Sequence, residues 1–204
     1  MRLEAAARAV AEANDHVTAV CAMSGIDLII TEDDQRKAAE AVLDCALAYG
    51  EDADGIIIGS FGDTGIELVR NRLDIPVVGI AEAAMRTALT FGPRPTIVSF
   101  SEAMRPSFEA LMLRLEISPN EVALRLLPAS PLPEAGKIAD VLEADLLKLS
   151  RSAVRDGATC LVTGGGPLAG FAYKLRRAVG VPVIDGTEEA VKVLKSGGGS
   201  ADRR

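Results

Sequence analysis

The stretch of residues 56–65, IIIGSFGDTG, decides the fold of this chain. Its three isoleucines predict a strand that is covered on both faces, because a half-exposed strand would alternate apolar and polar residues. Gly59 ends the strand in a glycine-bearing turn, and the residues after the turn begin a helix. A buried strand that leads into a helix in this way indicates a parallel α/β sheet.

A second copy of this unit lies further along the chain. Residues 158–167 (ATCLVTGGGP) repeat the pattern of residues 53–62 (ADGIIIGSFG) at an offset of 105 (158 minus 53). Residues 181–192 (VPVIDGTEEAVK) then match residues 75–85 (IPVVGIAEAAM) at an offset of 106 (181 minus 75). Any two strand–turn–helix units share some likeness, but the common spacing, prolines and helix starts favour an internal duplication into two related lobes.

The rest of the chain alternates strands with helices in the same way. Helices are predicted at residues 3–13, 35–48, 64–73, 82–89, 106–115 and 134–155, after Pro167, and in a last segment that ends at 195. Strands are predicted at residues 17–21, 56–58, 77–79, 96–99, 122–126, 161–163 and 183–185. Such alternation implies parallel sheets joined by right-handed crossovers.

We therefore expect an α/β fold of two similar lobes, in which helices flank parallel sheets and a ligand cleft lies between the lobes. The first lobe is expected to contain residues 1–92 plus 186–195. The second lobe is expected to contain residues 93–185, and residues 196–204 are expected to form a disordered tail because they offer almost no apolar anchor.

Composition excludes several classes of function. The chain has 204 residues and 49% hydrophobic content, which is enough for a compact core. A formal charge of -7 and the lack of clustered Lys and Arg argue against a sequence-independent nucleic-acid surface. No apolar run approaches the roughly 20 residues of a membrane helix, and no secretion signal follows Met1, so we expect a cytoplasmic protein. A homo-oligomer is compatible with this sequence.

Cysteine and histidine are sparse in this chain. Cys21, Cys45 and Cys160 show no metal-ligand spacing, so we expect buried structural thiols and no metal site. His16 precedes a predicted strand, at the end of the sheet opposite to where parallel sheets bind ligands. We therefore expect His16 to be a surface residue.

Two segments carry a resemblance to a known family. GSFGDTGI (residues 59–66) followed by PVVGIAEAAM (residues 76–85) resembles the first active-site signature of the aspartate, glutamate and hydantoin racemase superfamily. The resemblance is closest to the hydantoin and allantoin racemases. TGGGPLAG (residues 163–170) and PVIDGTEEAVK (residues 182–192) keep part of the second signature.

The resemblance implies two α/β lobes that face each other across a cleft, with one catalytic cysteine from each lobe and no cofactor. The two thiols would remove and return a proton on opposite faces of a carbon acid, which is a small carboxylate or a cyclic imide such as a hydantoin. Backbone N–H groups of the glycine turns would hold the oxygens of this substrate and stabilise its developing negative charge.

This chain departs from the family at both catalytic positions. The residues that match the two cysteines are Ser60 and Gly165. An unassisted serine hydroxyl is a very weak base near neutral pH, and glycine carries no proton-transfer group. The family's opening strand and its substrate-holding loop are also missing before residue 3, and we expect a truncated start in preference to a native deletion.

The resemblance also names the residues expected to contact a substrate, which are Phe61, Gly62, Asp63, Ser99, Gly164 and Gly166. Each has a structural alternative. Asp63 and Thr64 could cap a helix, as could Ser99, and the glycines could only permit a tight bend. Ser60 could donate a hydrogen bond to an anion or could be a small residue in a tight turn.

Three functions remain open at this point. The first is a cofactor-independent racemase or isomerase that acts on a hydantoin-like or amino-acid-derived carbon acid. The second is a lyase that resembles arylmalonate decarboxylase, and the third is a non-catalytic or chemically altered protein that binds a small anion. In each case we expect two-thiol racemisation to be absent, because both proton carriers are replaced.

Overall fold

A computed structural model of the chain describes residues 1–23, 26 and 28–197. The strands are β1 (Ile56–Ile58), β2 (Val77–Gly79), β3 (Pro95–Ser99), β4 (Ala123–Leu126), β5 (Cys160–Thr163) and β6 (Val183–Asp185). The helices are α1 (Arg2–Arg8), α2 (Glu32–Tyr49), α3 (Ile66–Arg70), α4 (Ile80–Leu89), α5 (Arg105–Arg114), α6 (Ile138–Val141), α7 (Glu143–Arg155), α8 (Ala172–Arg176) and α9 (Gly186–Lys195). Within these described ranges, no helix is both long and apolar enough to span a bilayer.

The strands form two parallel sheets. One contains β1 and β2, and the other has the order β4-β3-β5-β6. Neighbouring strands are parallel in every pair, and helices separate the strands along the chain. This arrangement confirms the predicted α/β class with parallel sheets flanked by helices.

The internal repeat is visible in the positions of the elements and in their ion pairs. The bounds of α8, β6 and α9 each lie 106 residues after those of α3, β2 and α4 (172 minus 66, 183 minus 77 and 186 minus 80). Arg70 donates to Val77 O and to Glu82, and Arg176, also 106 residues later (176 minus 70), donates to Val183 O and to Glu188. The same interactions therefore hold the equivalent strand and helix of each copy.

The two copies meet along helices α4 and α9. A Cβ placed on Gly186 would lie 2.3 Å from Ile80 O, so the two helix starts approach more closely than any larger residue would permit. Thr87 Oγ1 donates to Glu189 at 3.1 Å further along the same pair. The pair of helices forms a packed seam between the sheets, and α9 also contacts β1 and β2.

The predicted strand at residues 17–21 is wrong. These residues have no regular secondary structure, and most are exposed. A strand is stable only when a neighbour satisfies its N–H and C=O groups. In the described part of the chain, β1 pairs with β2 alone, and no strand stands beside residues 17–21.

Several helices differ from their predicted bounds. α2 begins earlier than predicted because Thr31 and Asp34 form a capping box. α3 begins later than predicted because Gly65, with a φ of 78°, interrupts the helix. The predicted helix over residues 134–155 is divided at Leu142, because α6 packs on the turn at Gly166–Leu168 whereas α7 packs on β3 and β4.

The ends of the chain also differ from the prediction. α1 stops at Arg8, short of the predicted end at residue 13, and Glu12 and Asp15 form a turn beyond it. Ser196 and Gly197, predicted to belong to the tail, close the last turn of α9 with backbone hydrogen bonds. The remaining predicted tail, residues 198–204, lies outside the described residues.

Glu82 gives the fold a dependence on acid. Burial raises the pKa of Glu82, but hydrogen bonds and charges from Arg86 and Arg70 outweigh burial and hold that pKa below its ordinary value of 4.5. A carboxylate whose pKa is lowered by folding stabilises the fold above its unfolded pKa, and this contribution disappears as the pH falls through the folded pKa. We expect Glu82→Gln to lower the free energy of unfolding by about 1–3 kcal/mol at about pH 7 and by a smaller amount at about pH 3.

Urea unfolding of the parent and of Glu82→Gln at the two pH values measures this difference. Glu109→Gln is the control, because Glu109 is exposed and its ion pair with Arg105 is long, at 3.9 Å, so the pair should contribute little to stability. An equal loss of stability at both pH values would show that the carboxylate charge of Glu82 is not what matters.

Candidate functional site

The first glycine turn, residues 59–65, forms a tight corner between β1 and α3. Ser60 O accepts the N–H of Asp63 at 3.0 Å, and Ser60 Oγ accepts the N–H of Thr64 at 2.9 Å. Because this Oγ accepts an amide, its own proton is left for another partner. No protein acceptor for that proton occurs among the described residues.

The second glycine turn, residues 164–168, follows β5 and lies directly against the first. A Cβ placed on Gly166 would lie 2.9 Å from Gly59 O, so the two backbones are in contact. Gly165 has a φ of 122° and a ψ of 135°, a conformation that favours glycine. The corners that hold Ser60 and Gly165, the positions predicted to match the family cysteines, are therefore neighbours in space.

A cavity of about 430 Å³ opens where the corners meet. Ser60, Phe61 and Gly62 line it from the first corner, and Gly165 and Gly166 line it from the second. The volume lies within the range of sites for small molecules. The structure thus brings five of the eight predicted site residues to one cavity.

The remaining lining is mostly apolar. The apolar side chains come from Met1, Leu3, Ile26, Leu28, Ile29, Phe100, Met104, Ala135 and Pro167. The polar ones come from Arg2, Gln35, Thr64 and Ser107. Arg2 already pairs with Asp140 and donates to Gly136 O at 3.2 Å.

Few side chains that line this cavity can accept or donate a proton in a reaction. Among its described lining residues there is no side chain of Cys, His, Asp, Glu, Lys or Tyr. Racemisation of a carbon acid needs a base on one face of the carbanion and an acid on the other. Of the two residues predicted to match the family's cysteines, only Ser60 offers a proton-bearing group, and its hydroxyl is a poor base without a neighbouring activator.

The position of Gly165 has no room for a thiol. A Cβ at Gly165 would lie 2.6 Å from a ring carbon of Phe100, which is itself buried. The φ of 122° adds strain for any residue with a side chain. Phe100 thus covers the place from which a second thiol would reach into the cavity.

The native cysteines and His16 lie elsewhere. Cys160 is buried in β5, and burial raises the pKa of its thiol to about 11. Cys45 is half-buried on α2, whereas Cys21 is exposed, so the prediction of buried thiols is wrong for Cys21. His16 is exposed, as predicted. Within the described ranges, no three His, Cys, Asp or Glu side chains come together as a metal-binding group.

Asp63 is buried behind the first corner and does not line the cavity. Its carboxylate accepts the N–H of Ala81 at 2.8 Å and of Glu82 at 2.9 Å, and it pairs with Arg114 at 2.6 Å. Asp63 therefore caps a helix, as the structural interpretation of the sequence held, and the helix is α4 and not the adjacent α3. Burial raises the pKa of Asp63, while the amide of Ala81 and the charge of Arg114 act in the opposite direction.

Ser99 and Gly164 are also absent from the cavity wall. Ser99 is fully buried, and its Oγ donates to Gly164 O at 2.6 Å. A Cβ on Gly164 would lie 2.5 Å from a side-chain carbon of Ile97. The two residues join β3 to the second corner and hold the backbone that precedes Gly165, which is a structural position behind the cavity wall.

Several lining residues were missed from the sequence. Leu28 and Ile29 lie in an irregular loop, and Phe100 and Met104 follow β3. Gln35 lies in the first turn of α2 and reaches the cavity beside Gly62. The only sequence signal was that Phe100 follows Ser99, at the end of a predicted strand where parallel sheets bind ligands.

A family model described as Asp/Glu/Hydantoin racemase matches residues 1–194. The chain belongs to the Asp/Glu/hydantoin racemase family. Hydantoin racemase from Paenarthrobacter aurescens is 33% identical over 144 residues, a match that covers 70% of this chain and 61% of that protein. The aligned part thus spans less than two thirds of this curated relative.

The solved structures agree with this family assignment. Allantoin racemase from Klebsiella pneumoniae has a TM-score of 0.87 and 30% identity, over 99% of this chain and 84% of the other. Arylmalonate decarboxylase has a TM-score of 0.58 at 13% identity, over 83% of this chain and 78% of the other, and shares the fold alone. The family resemblance inferred from the two signatures is therefore confirmed.

Proposed function

We propose that this racemase-family chain binds a small carbon acid, a hydantoin ring or an amino-acid-derived carboxylate, in the cavity between its two corners. The observation that carries the proposal is that Ser60 and Gly165 line one cavity of about 430 Å³. Backbone N–H groups at such corners can hold carbonyl or carboxylate oxygens, and the Ser60 hydroxyl can donate to the same group. The apolar walls suit the carbon framework of the ligand.

Catalysis by two opposed thiols is not part of this proposal. Ser60 can hold a substrate oxygen but is a poor base, and Gly165 can neither accept nor return a proton. A second candidate function follows from the same cavity, namely a protein that binds the carbon acid without interconverting its enantiomers. The lack of a thiol, imidazole, amine or carboxylate side chain among the described lining residues favours that candidate.

The test uses the two enantiomers of 5-benzylhydantoin, with aspartate as the carboxylate probe. Binding is measured by calorimetry, and exchange of the ring C5 proton in D2O is followed by NMR against the protein-free rate. We expect saturable binding of at least one probe and no conversion of one hydantoin enantiomer into the other. Absence of binding by all probes would overturn the proposal, and rapid interconversion would overturn the exclusion of racemisation.

Ser60→Ala tests the role of the hydroxyl. We expect it to weaken binding by about 3–10-fold, because one hydrogen bond to the ligand, worth about 1 kcal/mol, is lost. Ser130→Ala is the matched control, since Ser130 is exposed and lies outside the cavity. Equal affinity of Ser60→Ala and the parent would exclude the Ser60 hydroxyl from the binding site.

A cytoplasmic location and a homo-oligomeric state remain predictions from the sequence. Size-exclusion chromatography with light scattering measures the second directly.

A further inference from the structure

The two copies of the repeat each place a carboxylate at the start of a helix, but from different positions in the chain. In the second copy, Asp185 ends β6, and its carboxylate accepts the N–H of Thr187 at the start of α9. In the first copy, the position equivalent to Asp185 is Gly79 (185 minus 106). The residue equivalent to Thr187 is Ala81, and its N–H is accepted by Asp63.

The carboxylate of Asp63 fills the space that a side chain on Gly79 would occupy. A Cβ placed on Gly79 would lie 2.1 Å from Cγ of Asp63 and 2.2 Å from its Oδ1. Gly79 itself has a φ of -88° and a ψ of 141°, which any residue can adopt. Glycine is therefore needed at position 79 to admit the Asp63 carboxylate, and not for its backbone conformation.

The two arrangements differ in how the neighbouring corner is held. In the second copy, the carboxylate of Asp185 accepts one hydrogen bond from the chain just after the corner, from the N–H of Gly170 at 2.6 Å. In the first copy, the carboxylate is a covalent part of the corner, because Asp63 lies between Ser60 and Thr64. Every interaction of this carboxylate therefore also fixes the corner.

We propose that Asp63 is a positioning residue, whose carboxylate fixes the Ser60–Thr64 turn to the first turn of α4 and so places Ser60 and Gly62 at the cavity. This inference rests on the proposed function, because it concerns the same cavity. The Asp63 side chain is fully buried and does not line the cavity. It acts through Ser60, whose carbonyl and hydroxyl oxygens accept the N–H groups of Asp63 and Thr64.

Arg114 completes the anchor from a third element. Its guanidinium, at the end of α5, is 2.6 Å from Oδ2 of Asp63 and keeps the buried carboxylate paired. An unpaired buried charge is strongly destabilising, so the anchor depends on all of these donors together. The corner is thus joined through one side chain to both α4 and α5.

A relocation of the carboxylate separates the capping role of Asp63 from its positioning role. Asp63→Gly removes both roles, and glycine tolerates the φ of 51° at this position. The double variant Asp63→Gly with Gly79→Asp again places a carboxylate at the start of α4, but now from the end of β2. Asp185 caps α9 from the end of β6 in the same way. The corner then lacks its covalent link to that carboxylate.

We expect Asp63→Gly to lower the melting temperature by about 6–12 °C and the double variant to recover most of this loss. Affinity for the hydantoin or aspartate probe that binds the parent should remain about tenfold or more weaker in both variants. Hydrogen exchange of the amides of residues 60–64 should stay faster than in the parent, even in the double variant.

Recovery of parental affinity and exchange together with the melting temperature would overturn the inference, because capping of α4 alone would then suffice. Failure of the melting temperature to recover would overturn the equivalence of positions 79 and 185. The exchange measurement needs no ligand, so it judges the role of Asp63 even if the parent binds none of the probes. In that case the proposed function fails separately.

Discussion

Phe108→Ala is expected to lower the free energy of unfolding by about 3–5 kcal/mol. The Phe108 side chain is 0% exposed, and its ring meets the Phe61 ring edge-on, with 5.8 Å between the centroids and 89° between the planes. The ring also covers Gly164, where a Cβ would lie 3.1 Å from it. Removal of the ring would leave a cavity behind both corners.

The substitution should also disturb the cavity between the corners, because Phe61 lines this cavity and would lose the Phe108 ring that packs against it. Leu113→Ala is the matched control on the same helix, since Leu113 is 81% exposed and should change stability by less than about 0.5 kcal/mol. Urea unfolding measures both variants. A loss below about 1 kcal/mol for Phe108→Ala would contradict the assignment of this ring to the core.

Gly165→Cys is expected to lower the free energy of unfolding by about 2–4 kcal/mol, because backbone strain and collision with Phe100 add together. Gly165→Ala should show a similar loss, since the cost lies in the Cβ and not in the sulfur. Gly136→Ala is the control, because Gly136 also lines the cavity and no atom lies within 4 Å of its Cβ position. Similar stabilities of the Gly165 and Gly136 variants would contradict this account.

Introduction of cysteine at both positions 60 and 165 should not restore racemisation, because Phe100 keeps a side chain at position 165 from reaching into the cavity. With Ser60→Cys and Gly165→Cys together, we expect the C5 proton of a bound hydantoin to exchange with D2O through the thiol at position 60. We expect no interconversion of the enantiomers, which needs a second carrier on the opposite face. NMR and chiral chromatography follow the two processes. Faster interconversion by the double variant than by Ser60→Cys alone would show that the second thiol reaches the ligand.

The corners were predictable from the sequence because local patterns specify them. A buried aliphatic run, a glycine turn and a helix start are encoded within about ten residues, and the offset between the copies fixed which residues correspond. The failure of residues 17–21 to form a strand was not predictable in this way. Their composition favours a strand, but pairing depends on a neighbouring strand, which residues 17–21 do not have among the described residues.

The roles of single side chains required the tertiary structure. The partners of Asp63 lie 18, 19 and 51 residues away in sequence, so a local pattern indicates only a cap of the adjacent helix. The obstruction at Gly165 comes from Phe100, which follows a different strand. Contacts of this kind arise from packing between distant segments, and neither periodicity nor motif spacing records them.

The relocated carboxylates have a consequence for how the two halves of this chain diverged. Both halves have a negative charge at a helix start, but the residue that bears it lies in a turn in the first half (Asp63) and at a strand end in the second (Asp185). A comparison of the halves by amino-acid identity would score both positions as mismatches. The correspondence between the two halves of such a protein is therefore seen better by structural superposition of their charged groups than by sequence alignment.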